Sequence, residues 1–404
     1  MENNITILII ALLVLGYGYL SKLLMHYNIS GPMIFTAVGV MLSPLGIATV
    51  DMHLQTEIVE IIAVIALIIV LFSDASTLNL KKLRMDWKIP ARMLFIGLPL
   101  TIIATTYLAT FFFPNESTIY LLLMAFVLAP TDAALGKAVV LDKNVPEKIR
   151  TSINVESGLN DGIVFPLLLT VSAMIGSGLS EYQDNHWISY VAKQIAFGAI
   201  IGSVVGYLFA KISTTLTQKD WLESSYQNLI PIAIAILSYY TAEHFGGNGF
   251  IAAFFAGLLV GSVSQGLRHN VKLFAESEGE LLILISFMVF GIVFIPATIA
   301  YWDLKTFTFA LLSLSVLRML PVAISLIGTK FDFSTILFLG WFGPRGIASI
   351  LYVIIIIGRP EAIHGHESIY TVITLTIFLS IILHGLSAKP FARLYAKSHK
   401  EKNI

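Results

Sequence analysis

Cysteine is absent from this 404-residue chain, and charge is scarce: Asp, Glu, Lys and Arg together make up 12% of it. The first absence excludes disulfides and cysteine-based metal or redox chemistry. The second sets the chain apart from soluble domains, which carry about 25% charged residues. Long polar stretches are missing as well, so no soluble regulatory domain and no long cytoplasmic tail are expected. The start, Met1-Glu2-Asn3-Asn4, lacks the positive n-region of a signal peptide and runs into a span-length apolar segment, read as a retained first helix. Acidic and basic residues balance at 25 each, so net charge indicates no partner, and no nucleic acid is expected.

What the chain has is hydrophobic sequence: 56% of its residues, with a mean hydropathy of +0.83. The apolar residues come in runs of about 18 to 25, the length that crosses about 30 Å of hydrocarbon as a helix. Breaking the chain at Pro, Gly and charge clusters predicts an all-α membrane protein of about thirteen spans in one domain covering 1–404. The spans are expected near 4–24, 31–49, 55–77, 90–113, 117–140, 149–175, 187–210, 226–243, 246–266, 279–298, 304–328, 334–358 and 368–395. With the N-terminus outside and the C-terminus cytoplasmic, nearly every Lys and Arg falls in an inner loop or the tail. The exceptions are Lys193, Lys305 and Arg359 outside, and Arg318 and Arg345 in mid-span. That asymmetry is the positive-inside pattern. Trp87, Trp187, Trp221 and Trp302 fall at expected membrane boundaries, and only Trp341 lies within a span.

An ionisable residue deep in a span costs at least about 2.5–3.5 kcal/mol on insertion scales, so each needs a partner or a purpose. Asp132, Glu156, Asp161, Arg318 and Arg345 lie near span centres, and Asp74 lies nearer the cytoplasmic end of the third span. The fifth span reads Leu128-Ala129-Pro130-Thr131-Asp132-Ala133. A proline there removes a backbone donor and frees carbonyls, which in lipid must face protein or a water-filled cavity. The kink gathers hydroxyl, carbonyl and carboxylate oxygens, the donors a hard cation such as Na⁺ requires. Its bland alternative is a packing kink with an incidental Asp. The twelfth span carries a matching interruption, Gly340-Trp341-Phe342-Gly343-Pro344-Arg345-Gly346. A pair of Gly/Pro-broken helices in corresponding halves points to a transporter site at the midplane. Arg345 is read as structural or electrostatic in preference to touching the ion.

In the sixth span, Asn154-Val155-Glu156-Ser157-Gly158-Leu159-Asn160-Asp161-Gly162, helical spacing puts Glu156 with Asn160 on one stripe and Ser157 with Asp161 on the next. Ser157 and Asp161 can then converge on one ion. Glu156 faces an adjoining helix, with Arg318 its preferred cationic partner. A polar helix lining a passive pore is the rival reading. The histidines, His384 among them, fall mostly at expected boundaries.

Ala129-Pro130-Thr131-Asp132-Ala133 and Glu156-Ser157-Gly158-Leu159-Asn160-Asp161-Gly162 resemble the paired signature of monovalent cation/proton antiporters. The Asn160-Asp161 pair, with Leu71-Phe72-Ser73-Asp74-Ala75 and Gly343-Pro344-Arg345-Gly346, is similar to the NhaP-like, NHE-related branch. Ala133 departs from the proline that many members carry. The resemblance implies an inverted-repeat core of crossed unwound helices, near 90–175 and 304–395, beside a dimerisation domain in a homodimer. It implies Asp161 as the main ion and proton carrier, and Asp132, Thr131, Ser157 and Asp74 lining the site. Asn160 and Pro130 would orient the site, and Glu156 with Arg318 would form a structural ion pair. The expected activity is exchange of Na⁺, with Li⁺ or K⁺ as alternatives, for H⁺ in a prokaryotic inner membrane. It is expected to be electroneutral, with no cofactor and no enzymatic chemistry. A cation channel would require a filter such as TVGYG, and an intramembrane aspartyl protease would require Tyr-Asp and Gly-x-Gly-Asp patterns; the two mid-span aspartates sit in neither.

Overall fold

The computed structural model describes residues 2–46, 57–78, 87–132, 135, 139, 142–176, 186–274, 279–357 and 365–402. Ala133, the basic cluster at 81–84 and Lys137 lie outside these residues. The described chain is helical: α1 Glu2–His26, α2 Gly31–Leu42, α3 Glu57–Thr77, α4 Lys88–Phe112, α5 Thr118–Leu128, α6 Glu147–Gly176, α7 His186–Gln218, α8 Ile230–His244, α9 Gly249–Val263, α10 Gln265–Phe274, α11 Glu280–Thr298, α12 Leu304–Leu314, α13 Val316–Ser325, α14 Phe333–Trp341, α15 Ile347–Ile357 and α16 Glu367–Lys402. Seven helical stretches, in α1, α4, α6, α7, α11, α16 and the α12–α13 run, are long and apolar enough to cross a membrane. Shorter apolar helices, α2, α5, α9 and α15 among them, accompany these. Leu8, Leu12, Leu15, Phe95, Tyr107 and Phe111 turn outward. In a soluble protein so much exposed apolar surface would mark an interaction site; here it is the surface that lipid covers.

Helix starts follow local chemistry. Asp303 caps α12 by accepting from the Thr306 amide at 2.7 Å, and Asp332 caps α14 by accepting from the Thr335 amide at 3.1 Å. The Thr306 amide and hydroxyl hold the Asp303 carboxyl below its usual range. The span expected at 304–328 is not one helix. It breaks at Ser315, where the backbone leaves helical values (φ −109°, ψ −93°) before α13 begins at Val316.

The chain forms two compact units, and α6 passes from one to the other after Ser157. The first comprises Met1–Val59, Lys88–Ser157 and Leu284–Ile404; the second comprises Glu60–Trp87 and Gly158–Ile283. In the first, an apolar core joins the starts of α4 and α6 to α13, α14 and the end of α16, through Met93, Ile149, Ile153, Val322, Phe338, Phe342 and Tyr395. Arg92 reinforces it by donating to the Ser325 carbonyl at 2.6 Å and to Ile327. This scaffold fixes both α14 and the approach of α13, and so sets the frame for the polar centre.

In the second unit α9 is a buried post. A side chain at Gly198, Gly202 or Gly206 of α7 would strike the backbone of Asn248, Ala252 or Ala256, so this four-residue glycine spacing lets two backbones touch. Without a hydrophobic driving force between helices in lipid, such close small-residue seams supply much of the packing. A Cβ at Gly202 would fall 2.1 Å from the Ala252 carbonyl oxygen. Gly202→Leu should therefore lower the thermal midpoint in detergent by several degrees, following from about 1–3 kcal/mol of overpacking strain. An unchanged midpoint would contradict the seam.

Candidate functional site

The fifth and twelfth expected spans are both interrupted. α5 stops at Leu128, just ahead of Pro130, and the chain continues without helical structure through Asp132. α14 stops at Trp341, and α15 resumes at Ile347. Neither proline has an N–H to continue a helix. The two unwound segments cross: the Asp132 amide donates to the Pro344 carbonyl at 2.8 Å.

At the crossing each break supplies what the other lacks. The Asp132 Oδ2 atom accepts from the Ile347 amide at 2.8 Å, which sets a carboxylate against the amide-bearing start of α15. The Arg345 Nη1 atom donates to the Ala129 and Pro130 carbonyls at 3.3 Å each, and to Gly343 at 3.1 Å. A guanidinium thus faces the carbonyl end of α5. Both charges oppose the dipole of the helix end they face, an arrangement worth roughly 0.3–2 kcal/mol apiece. Two further carbonyls of the break are also engaged. Ser349 donates to Val127 at 2.7 Å and Ser157 donates to Thr131 at 2.8 Å. Four carbonyl oxygens of this break, those of Val127, Ala129, Pro130 and Thr131, thus accept from protein donors, each keeping a second lone pair. The carboxylate and hydroxyl of the motif are the groups whose chemistry differs from backbone.

Glycine makes the crossing possible. A Cβ on Gly346 would lie 1.9 Å from Asp132 Oδ2, and one on Gly343 would lie 2.5 Å from Arg318 Nε. The room left by Gly343 holds the Arg318 side chain, whose Nη2 atom reaches Glu156 Oε1 at 2.8 Å. Both partners are about 1% exposed. Thr131 Oγ1 lies 3.3 Å from Glu156 Oε2 and donates to it, which ties the ion pair to the first break. Ser157, next along α6, is likewise bonded to that break, so one turn of α6 holds it twice.

The first unit thus brings Pro130, Thr131, Asp132, Glu156, Ser157, Arg318 and Arg345 together. Asp74, Asn160 and Asp161 belong to the second unit. There Asn160 and Asp161 are buried on α6, at 0% and 4% exposure, and Asp74 is half-buried on α3. A Cβ on Gly158 would sit 3.8 Å from Asp74 Cβ, so α3 and α6 approach closely at that level. Among the described residues no group of three or more His, Asp or Glu is arranged to hold a metal ion.

Ser349, Ser380 and His384 also belong to the polar centre, and sequence reasoning missed them. His384 was expected at a membrane boundary, yet it is 1% exposed inside α16. Spacing carried the available signal, since Ser380 and His384 stand one turn apart on α16.

A family model described as sodium/hydrogen exchanger, transmembrane, matches residues 8–394. The K(+)/H(+) antiporter NhaP of Alkalimonas amylolytica is 25% identical over 96% of this chain and 67% of its own length. A Na(+)/H(+) antiporter of Schizosaccharomyces pombe is 27% identical over 68% of this chain and 64% of its own. The K(+)/H(+) antiporter NhaP2 of Shewanella sp. MR-4 is 23% identical over 68% and 47%. The chain therefore spans about half to two thirds of the length of these curated relatives. Among solved structures, the sodium proton antiporter MjNhaP1 from Methanocaldococcus jannaschii superposes with a TM-score of 0.78. Its identity is 18%, with 98% of this chain and 100% of that one covered, and the two share a fold.

Removing one partner of the buried pair leaves the other charge uncompensated. Glu156→Leu should cost about 3–5 kcal/mol, and the double variant E156L/R318L should recover most of that loss. Denaturation of purified wild type, E156L, R318L and the double variant checks this. Additive losses, with the double variant losing the sum of the two singles, would show that Glu156 and Arg318 do not depend on one another.

Proposed function

The chain belongs to the sodium/hydrogen exchanger family, a family of transporters, and we propose that it exchanges a monovalent cation, Na⁺ or Li⁺, for H⁺ across a prokaryotic inner membrane. The observation that carries the proposal is the crossing itself. A carboxylate and a hydroxyl, Asp132 and Thr131, stand at a helix break inside an apolar body, at 6% and 2% exposure. A buried charge at such depth demands a function. The proposed site adds Asp161 as the main carrier, with Ser157 and Asp74 lining it and Asn160 and Pro130 orienting it. Glu156 with Arg318, and Arg345 at the second break, act as fixed structure.

Exchange follows from competition. Burial disfavours an ionised aspartate and favours its protonated form, while a bound cation favours the ionised form. Either load brings the site nearer to neutral and lets it cross the apolar barrier, whereas the empty anionic site is penalised. That difference couples the two fluxes. Asn160 cannot carry a second proton, so the exchange is one cation for one proton and moves no net charge. Alternating access comes from motion of a core, made of helices near 90–175 and 304–395, against a second domain in a homodimer. The N-terminus lies outside and the C-terminus in the cytoplasm. The cargo is the cation and the proton, and no cofactor takes part.

K⁺ is the second candidate cargo, favoured by the names of the Alkalimonas and Shewanella relatives. Purified protein in liposomes with an internal pH dye, titrated separately with Na⁺, K⁺ and Li⁺, distinguishes these readings. The expected result is saturable, cation-driven alkalinisation with Na⁺ or Li⁺ that Asp161→Asn abolishes. Exchange at the wild-type rate in that variant would remove Asp161 from the mechanism. A current insensitive to the proton gradient would make the protein a channel.

A further inference from the structure

Breaking α14 from α15 leaves backbone groups between Trp341 and Ile347 without helical partners, and in an apolar interior each must find another. α16 supplies two of them. The Arg345 amide donates to Ser380 Oγ at 2.7 Å, and His384 Nε2 lies 3.0 Å from the Trp341 carbonyl oxygen, which also accepts from the Gly343 amide at 2.8 Å. Ser380 Oγ and His384 Nδ1 stand 3.1 Å apart. The direction of this chain is fixed by chemistry. A carbonyl only accepts, so His384 Nε2 carries the proton. With that proton on a neutral ring, Nδ1 offers a lone pair, which receives the Ser380 hydroxyl; the Ser380 carbonyl oxygen, 3.2 Å from the same nitrogen, cannot donate to it. The same hydroxyl oxygen accepts from Arg345. The sequence Arg345 N–H to Ser380, Ser380 O–H to His384, His384 Nε2–H to Trp341 O is closed, and it spans both sides of the break.

Trp341 is held a second time. Its indole Nε1 donates to Ser387 Oγ at 2.9 Å, and its ring lies 4.8 Å from the His384 ring. Ser380, His384 and Ser387 recur at four- and three-residue intervals, so one face of α16 is dedicated to this break. The break matters to the site because Pro344 accepts the Asp132 amide, Ile347 donates to the Asp132 carboxylate, and Arg345 grips the end of α5.

We infer that Ser380 and His384 are positioning residues for cation binding: α16 clamps the second helix break at a fixed opening, and the break in turn aims the Asp132 carboxylate. This rests on the proposed exchange activity and extends it to a helix that contributes none of the proposed ligands.

The test compares wild type, His384→Gln, His384→Leu, Ser380→Ala and S380A/H384L, measuring the cation KM and maximal rate of dye-reported exchange in liposomes. Glutamine can donate to Trp341 and accept from Ser380, so H384Q should keep the wild-type KM within about threefold. H384L removes one of the two donors to the buried Trp341 carbonyl and the Nδ1 acceptor of Ser380, and should raise KM by roughly tenfold, as expected for a lost buried hydrogen bond, with a smaller effect on maximal rate. S380A, the gentler change, should raise KM in the same direction and carries the test if H384L fails to fold. Because the groups form one chain, the double variant should be little worse than H384L alone. An unchanged KM in S380A, or fully additive effects in the double variant, would overturn the inference. A wild-type protein that exchanges no cation would instead overturn the proposed function.

Discussion

An apolar interior leaves no water for an unpaired peptide group, and the first unit is organised around that constraint. Two helices are broken by proline in mid-body, and each break repairs the other. The carboxylate of Asp132 serves the amide end of α15, the guanidinium of Arg345 serves the carbonyl end of α5, and one backbone bond links the segments directly. The cost of opening two helices is thereby offset without closing them. What remains is a polar point within the apolar body, built from groups that cannot relax into regular helix because their partners lie on the other segment.

Around that point the supporting contacts are layered. Glu156 and Arg318 form a buried pair that occupies the space a side chain at Gly343 would fill, and Thr131 hangs from the same carboxylate. Ser157 and Ser349 take freed carbonyls of the first break, while Ser380 takes the Arg345 amide of the second and His384 adds a bond to its Trp341 carbonyl. Hydroxyls dominate this inventory for a physical reason. A serine or threonine satisfies one backbone group at almost no desolvation cost, whereas a further charge would need its own partner.

Much of this was legible in the sequence because it rested on local chemistry or on charge. Pro130 and the Gly343-Pro344 pair announce helix breaks, and a mid-span Glu and Arg of opposite sign demand each other. The break at Ser315 was not legible, since serine is common in membrane helices and Ser213, Ser238 and Ser262 make the same backward hydroxyl bond in helices that stay continuous. His384 was misread because an isolated histidine near a basic tail looks like a boundary residue, and its partners, Trp341 and Ser380, are fixed only when α14 meets α16. The glycine seam of α7 stands openly at 198, 202 and 206, yet its purpose appears only once α9 lies against it. Residues whose partners are distant in sequence are those a single chain hides.

The account turns on a cation and a proton competing for one buried carboxylate. Proton release from purified protein in weakly buffered detergent solution, followed by a pH dye as the cation is added, measures this competition without any membrane gradient. Release of about one proton per bound cation, with affinity falling roughly tenfold for each unit of pH below the titration of the site, is the predicted result. Saturable cation binding that releases no proton at any pH would contradict it.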